Sequence, residues 1–270
     1  MRSTIWRALT AATFVAATFA IVGPALGTPD AGVTARRASR ADTTFVVRTS
    51  PADFPHTETQ VLQPAQHPGP VGALLVRISH SMPMQARPGA GPVVGTLPAG
   101  SKYYGAPIVA CVQQLSPNGR FGEVQVPYAA RPRMGWIRLR GLPREHTFIE
   151  VRVDISQHLI WVLRGGKVIL RGRAGTGAPS SPTPAGRYFV TDRVPFPGGG
   201  ALGTFAFGIS GIQPHLPVGW TGGDQLAIHG TNEPWTIGRS ASAGCVHVAA
   251  PVLLRLEQLL RPGTPVVIVP

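Results

Sequence analysis

Cysteine occurs only twice in the 270 residues, at Cys111 and Cys245, and lysine only twice, at Lys102 and Lys167. Two cysteines cannot build a disulfide-dense mini-scaffold or a four-cysteine zinc site. No run of 18 or more apolar residues follows the N-terminal region, which excludes a multi-span helical membrane protein. Acidic residues are scarce, 12 against 25 basic ones, and the excess is almost all arginine. That charge is scattered, with no Lys/Arg block interleaved with aromatics, so it points away from nucleic acid. An anionic partner in a cell envelope fits it better. Glycine (33) and proline (28) are plentiful and imply many turns, while 43% hydrophobic content is too high for a wholly disordered chain. The length allows one large domain or two small ones.

Residues 1–27 read as a secretory signal peptide. Arg2 and Arg7 supply the positive start, Ala8–Val22 a short apolar stretch, and Ala25-Leu26-Gly27 the small residues of a cleavage site. An uncleaved anchor helix is the alternative, but fifteen residues is short for a bilayer. The mature protein is therefore expected outside the cytoplasm, in the cell envelope. Residues 28–70 are Thr/Ala/Pro-rich and interrupted by five prolines from Pro51 to Pro70. They bury too little apolar area to offset their ordering entropy and are expected to be a flexible tether.

From Val71 onward, short apolar runs alternate with turns: Ala73–Ile78, Val93–Leu97, Pro107–Val112, Phe121–Val126 and Gly135–Leu139. This spacing predicts a small all-β unit over 71–142. The segments Arg87-Pro88-Gly89, Gly95-Thr96-Leu97-Pro98-Ala99-Gly100 and Gly135-Trp136-Ile137 resemble bacterial SH3-like domains. That resemblance implies a β-barrel serving as a wall-targeting or spacer module. Cys111 sits inside an apolar run and reads as a buried small residue. A second β-rich block spans 147–270. Ile149, Val151, Val153 and Ile155 alternate with polar residues, and Leu159–Leu163 with Val168–Arg173 flanks a hairpin turn. Val252, Leu253, Leu256, Leu259 and Leu260 recur at helical spacing between Pro251 and Pro262-Gly263, before a closing strand at Val266–Val269.

Reactive groups concentrate in one window. His229 ends the apolar run Leu226-Ala227-Ile228 and precedes Gly230, and Cys245 follows Ser240-Ala241-Ser242-Ala243-Gly244. Small neighbours let a carbonyl approach the sulfur and free nearby backbone N–H groups for a developing oxyanion. A histidine aimed at that sulfur can draw off its proton. Other readings of the same residues are a buried core cysteine, a Cys111–Cys245 disulfide in an exported protein, or zinc held by Cys245, His247 and His229, although the spacing matches no zinc motif.

Further stretches carry a resemblance that favours the catalytic reading. Gly175-Thr176-Gly177, Pro182-Thr183-Pro184-Ala185-Gly186, Ile228-His229-Gly230-Thr231-Asn232-Glu233-Pro234, Ile237-Gly238 and Ser242-Ala243-Gly244-Cys245-Val246 occur in order, followed by the helix and the Gly263-Thr264-Pro265-Val266 strand. In these the block 147–270 resembles the YkuD-type L,D-transpeptidase catalytic domain. The resemblance implies a β-sandwich with a C-terminal helix. It also implies Cys245 as nucleophile, His229 as general base and the Gly230 carbonyl as the group orienting the His229 ring. Backbone N–H groups of Ala243, Gly244 and Cys245 would form the oxyanion hole, and Ser242 would brace that turn. Two positions depart from the family pattern: Ala243 stands where His is common, and His247 where Arg or Asn is common. His247 is expected to help orient the substrate or to compete as base. The implied reaction is acyl transfer on peptidoglycan stem peptides. A Cys245 thioester forms with release of D-alanine, and a neighbouring stem amine takes the acyl group to give a 3→3 cross-link. No cofactor or metal is implied, and acylation by carbapenems is expected. Rival functions are an L,D-carboxypeptidase, attachment of a protein to the wall, and a non-catalytic wall-binding protein.

Overall fold

The computed structural model describes residues 72–270. The expected signal peptide (1–27) and the expected tether (28–70) lie outside the described residues. The described chain is mainly β with one α-helix, in two sheets. The first contains β1 (Ala73–Arg77), β2 (Met82–Arg87), β3 (Ala90–Leu97), β4 (Val109–Leu115), β5 (Phe121–Gln125), β6 (Met134–Arg138) and β7 (Arg144–Thr147). Its order is β3-β2-β6-β5-β4-β1-β7, antiparallel throughout. Five of these strands follow the apolar runs of the sequence. β2 and β7 do not, for a physical reason. In β2 only Met84 is buried, and β7 is a polar edge strand, Arg-Glu-His-Thr, that pairs with β1 alone.

The second sheet contains β8 (Ile149–Asp154), β9 (Leu159–Arg164), β10 (Lys167–Gly177), β11 (Gly186–Pro195), β12 (Phe205–Ile212), β13 (Gln225–His229), β14 (Ser240–Ser242), β15 (Val246–Val248) and β16 (Pro265–Val269). Its order is β14-β10-β15-β13-β12-β11-β16-β8-β9. The eleven-residue β10 pairs through Lys167–Arg173 with β9 and through Ala174 and Gly175 with β15, so it links the two ends and closes the layers into a sandwich. Helix α1 (Ala250–Leu259) has Ala249 as its N-cap, carries proline in its first turn and presses Leu253 and Leu256 into the core.

The two sheets share one compact unit. Phe189 of β11 is buried in the core of the first sheet, together with Leu75 and Val109. Leu75 and Val109 also pack over the Gly263 turn. The Tyr128 N–H donates to the Ser210 carbonyl at 2.7 Å. This joint places residues of the first sheet beside the cleft of the second.

Candidate active site

Strand alternation builds the site. In β13, Leu226 and Ile228 point into the core, which puts Gln225, Ala227 and His229 on the opposite face. Its parallel neighbour β15 buries Val246 and Val248, which puts His247 on that same face, with Cys245 just before the strand. The register pairs His229 with His247, and their rings lie 4.8 Å apart. Cys245, His229, His247, Ser242 and Ala243 all line one cavity of about 610 Å³. Cys245 Sγ lies 4.0 Å from the Gln225 carbonyl.

Hydrogen bonds assign the histidine tautomers. His229 Nδ1 donates to the Gly230 carbonyl at 2.5 Å, so its Nε2 keeps a free lone pair. Thr236, on a 3₁₀ turn at Pro234–Thr236, donates its hydroxyl to the Glu233 carbonyl at 2.7 Å. Its oxygen therefore accepts from His247 Nδ1, 2.9 Å away, and His247 is also a neutral ring with a free Nε2. Burial, reinforced by His247, pushes His229 down to about 4, with the Gly230 carbonyl opposing. Burial likewise lowers His247, with Glu233 opposing. Burial pushes the Cys245 thiol up to about 11, with the Ala227 N–H partly offsetting it. The resting pair is a thiol and a neutral imidazole.

The cysteine turn is held from two sides. Gly244 has φ +116°, and a Cβ there would run into Nε2 of Gln213, so this position requires glycine. Ser242 Oγ donates to the Cys245 carbonyl at 2.6 Å and accepts the Gly244 N–H at 3.1 Å, the bracing expected of it. That second bond involves one of the three N–H groups, of Ala243, Gly244 and Cys245, expected to form the oxyanion hole. In the resting turn the Gly244 N–H is engaged by the Ser242 hydroxyl. The N–H groups of Ala243 and Cys245 find no acceptor among the described residues. Both cysteines are free, Cys111 inside the first sheet and Cys245 at the cleft, so the disulfide alternative fails. Among the described residues no cluster of three or more His, Cys, Asp or Glu is placed to hold a metal.

Sequence reasoning missed several supports. Thr183 Oγ1 accepts the Gly177 N–H and donates to the Gly244 carbonyl, both at 2.8 Å, tying the cysteine turn to β10. The signal was present, since Thr183 lies in the quoted Pro-Thr-Pro stretch. Gly177 belongs to the same motif, and a Cβ on it would collide with the Ser181 carbonyl. Gln213, 3% exposed, donates to the carbonyls of Ser181 and Pro182 at 3.1 and 2.9 Å and walls the turn. Tyr103 and Tyr104, from the first sheet, and Trp220 line the same cavity. Nothing in their local sequence marks them.

Comparison with known proteins gives matches described as L,D-transpeptidases. Residues 149–268 match the YkuD family, described as the L,D-transpeptidase catalytic domain. The chain is 26% identical over 133 residues to YkuD of Bacillus subtilis, a protein named as an L,D-transpeptidase, covering 49% of this chain and 73% of the relative. It is 33% identical over 88 residues to the YkuD of Bacillus licheniformis, covering 33% of this chain and 46% of that one. Among solved structures, an L,D-transpeptidase of Enterococcus faecium aligns with a TM-score of 0.36 at 23% identity, over 45% of this chain. This chain spans about half the length of that one, 49%. The family match begins at residue 149 and leaves the first sheet, with its SH3-like reading, outside it.

Proposed function

We propose that this protein is an exported cysteine acyltransferase that forms 3→3 cross-links between peptidoglycan stem peptides, a reading supported by the match of residues 149–268 to the YkuD L,D-transpeptidase catalytic domain. The observation that carries this reading is the placement of Cys245 and His229 on one cleft face, with the His229 Nδ1 bonded to Gly230 and its Nε2 left free.

The steps follow from those groups. Cys245 Sγ attacks the carbonyl of the L-centred third residue of a tetrapeptide stem while its proton passes to His229 Nε2. The N–H groups of Ala243 and Cys245 meet the oxyanion that forms. The intermediate collapses with cleavage of the amide bond, and His229 returns the proton to the departing D-alanine nitrogen. The side-chain amine of a neighbouring stem then attacks the thioester, gives up a proton to His229 and restores the thiol. His247, locked by Thr236 beside His229, faces the substrate and helps to orient it. Amide exchange needs no ATP, which suits the extracytoplasmic site that the N-terminal 27 residues suggest.

The test is the intact mass of the purified protein after exposure to a carbapenem, beside the Cys245→Ala variant. One adduct per wild-type chain and none on the variant is the expected result. Tetrapeptide donors then distinguish acceptors: a cross-linked dimer supports the transferase, and tripeptide alone makes the enzyme an L,D-carboxypeptidase. An unreactive but accessible Cys245 would leave a non-catalytic wall-binding protein.

A further inference from the structure

The connection between β3 and β4 belongs to the first sheet, yet it reaches the entry of β13. Ser101, 6% exposed, donates its hydroxyl to Oδ1 of Asp192, a carboxyl group on β11 that is 1% exposed. Oδ2 of Asp192 accepts from Thr191 Oγ1 at 2.7 Å and from Gln225 Nε2 at 2.9 Å. The residue before Gln225 is held by the same turn. Lys102 Nζ contacts the two oxygens of Asp224 at 2.7 and 2.8 Å, and the Tyr103 hydroxyl donates to Oδ1 at 2.5 Å while accepting the Asp224 N–H at 3.1 Å.

This is the end of β13 that its own ladder holds least. Toward β12 the register runs regularly from His229 to Ala227, then shifts before Gln225 pairs with Ile212. Toward β15 only Ile228 and His229 pair. The segment leading into it is exposed, with Val218 fully solvated. From this end, the Gln225 carbonyl faces Cys245 Sγ, and four residues on the strand delivers His229.

We propose that the Ser101–Tyr104 turn is a positioning element of the acyl-transfer site, holding the entry of β13 so that His229 and Cys245 meet the donor bond in register. The inference rests on the function proposed above and assigns the first sheet a part in catalysis rather than wall targeting or spacing alone. Residues 102 and 103 grip Asp224, residue 101 grips Gln225 through Asp192, and Tyr103 and Tyr104 line the substrate cleft directly.

The experiment compares wild type with Tyr103→Phe and Ser101→Ala in the full chain, with Arg138→Ala, exposed on β6, as control. The readouts are kcat and KM on a soluble tetrapeptide, the rate of Cys245 alkylation by iodoacetamide against pH, and Tm. Tyr103→Phe is expected to lower kcat roughly tenfold with KM and Tm held, and to change the alkylation rate, since small misplacements of reacting groups cost this much or more. Ser101→Ala should act in the same direction and Arg138→Ala should be silent. Wild-type kcat and alkylation in both variants would overturn the proposal, as would a fall in Tm alone. If Ser101→Ala does not fold, Tyr103→Phe decides by itself, because Tyr103 is half exposed. If wild type turns over no stem peptide while Cys245 alkylation still depends on Tyr103, the transferase reading fails and the positioning role stands.

Discussion

A thiol raised to about 11 beside an imidazole lowered to about 4 stays uncharged at pH 7, so proton transfer accompanies attack rather than preceding it. The acid limb of carbapenem acylation should therefore fall near pH 4, well below the ordinary histidine range; a midpoint between 6 and 7 would contradict this. The same shift acts on stability. With its folded pKa below the unfolded value, His229 binds fewer protons in the native state between about pH 6.5 and 4. Acidification through that window thus removes up to about 3 kcal/mol. Urea titrations at pH 7, 5 and 4 should show this loss, and His229→Asn should reduce it. At Gly244, alanine meets both a strained φ and the Gln213 amide, so Gly244→Ala should cost about 2 kcal/mol and slow acylation sharply. Chemical denaturation and adduct kinetics check the two effects separately.

Between elements, single polar links set how the cysteine turn lies on β10. Thr183→Val keeps the side-chain shape but strands the Gly177 N–H and the Gly244 carbonyl. A loss of about 2 kcal/mol is expected, together with slower acylation, because the turn it anchors carries the nucleophile. Helix α1 offers a contrast. Leu256 is fully buried and away from the cleft lining, so Leu256→Ala should cost about 2–5 kcal/mol while the protein that remains folded acylates normally. Comparing the two variants by Tm and by adduct rate separates support of the site from support of the fold.

The whole molecule joins two sheets through a shared core and a polar seam. Phe189, 1% exposed, packs into the core of the first sheet, and Asp192 takes a hydrogen bond from Ser101 across the same boundary. Residues 148–270 produced alone would uncover Phe189 and leave Asp192 without Ser101. That fragment should be less soluble, melt well below the intact chain, and acylate more slowly. A fragment with the intact chain's Tm and acylation rate would show that the seam contributes neither stability nor function.

How much of this was legible in the sequence follows from the range of each interaction. Alternation over Ile149–Ile155, the leucine spacing of α1 and the strand ending at His229 are local patterns, and the structure contains all three. Cys245, His229 and Gly230 could be singled out because small residues and a strand end mark them within a few positions. The Ser242 brace was foreseen too, but its bond to the Gly244 N–H depends on a turn conformation that no local pattern encodes. Edge strand β7 was missed because a polar strand buries nothing that would produce alternation. Asp192, Gln213, Gln225 and Tyr103 were invisible for another reason. Each acts across 31 or more residues of chain, through a hydrogen bond that exists only once the sheets are packed. The sequence by itself determined the chemical groups and the strands that carry them; the tertiary structure decided which of those groups meet, because contacts of that range are set by packing rather than by neighbours along the chain.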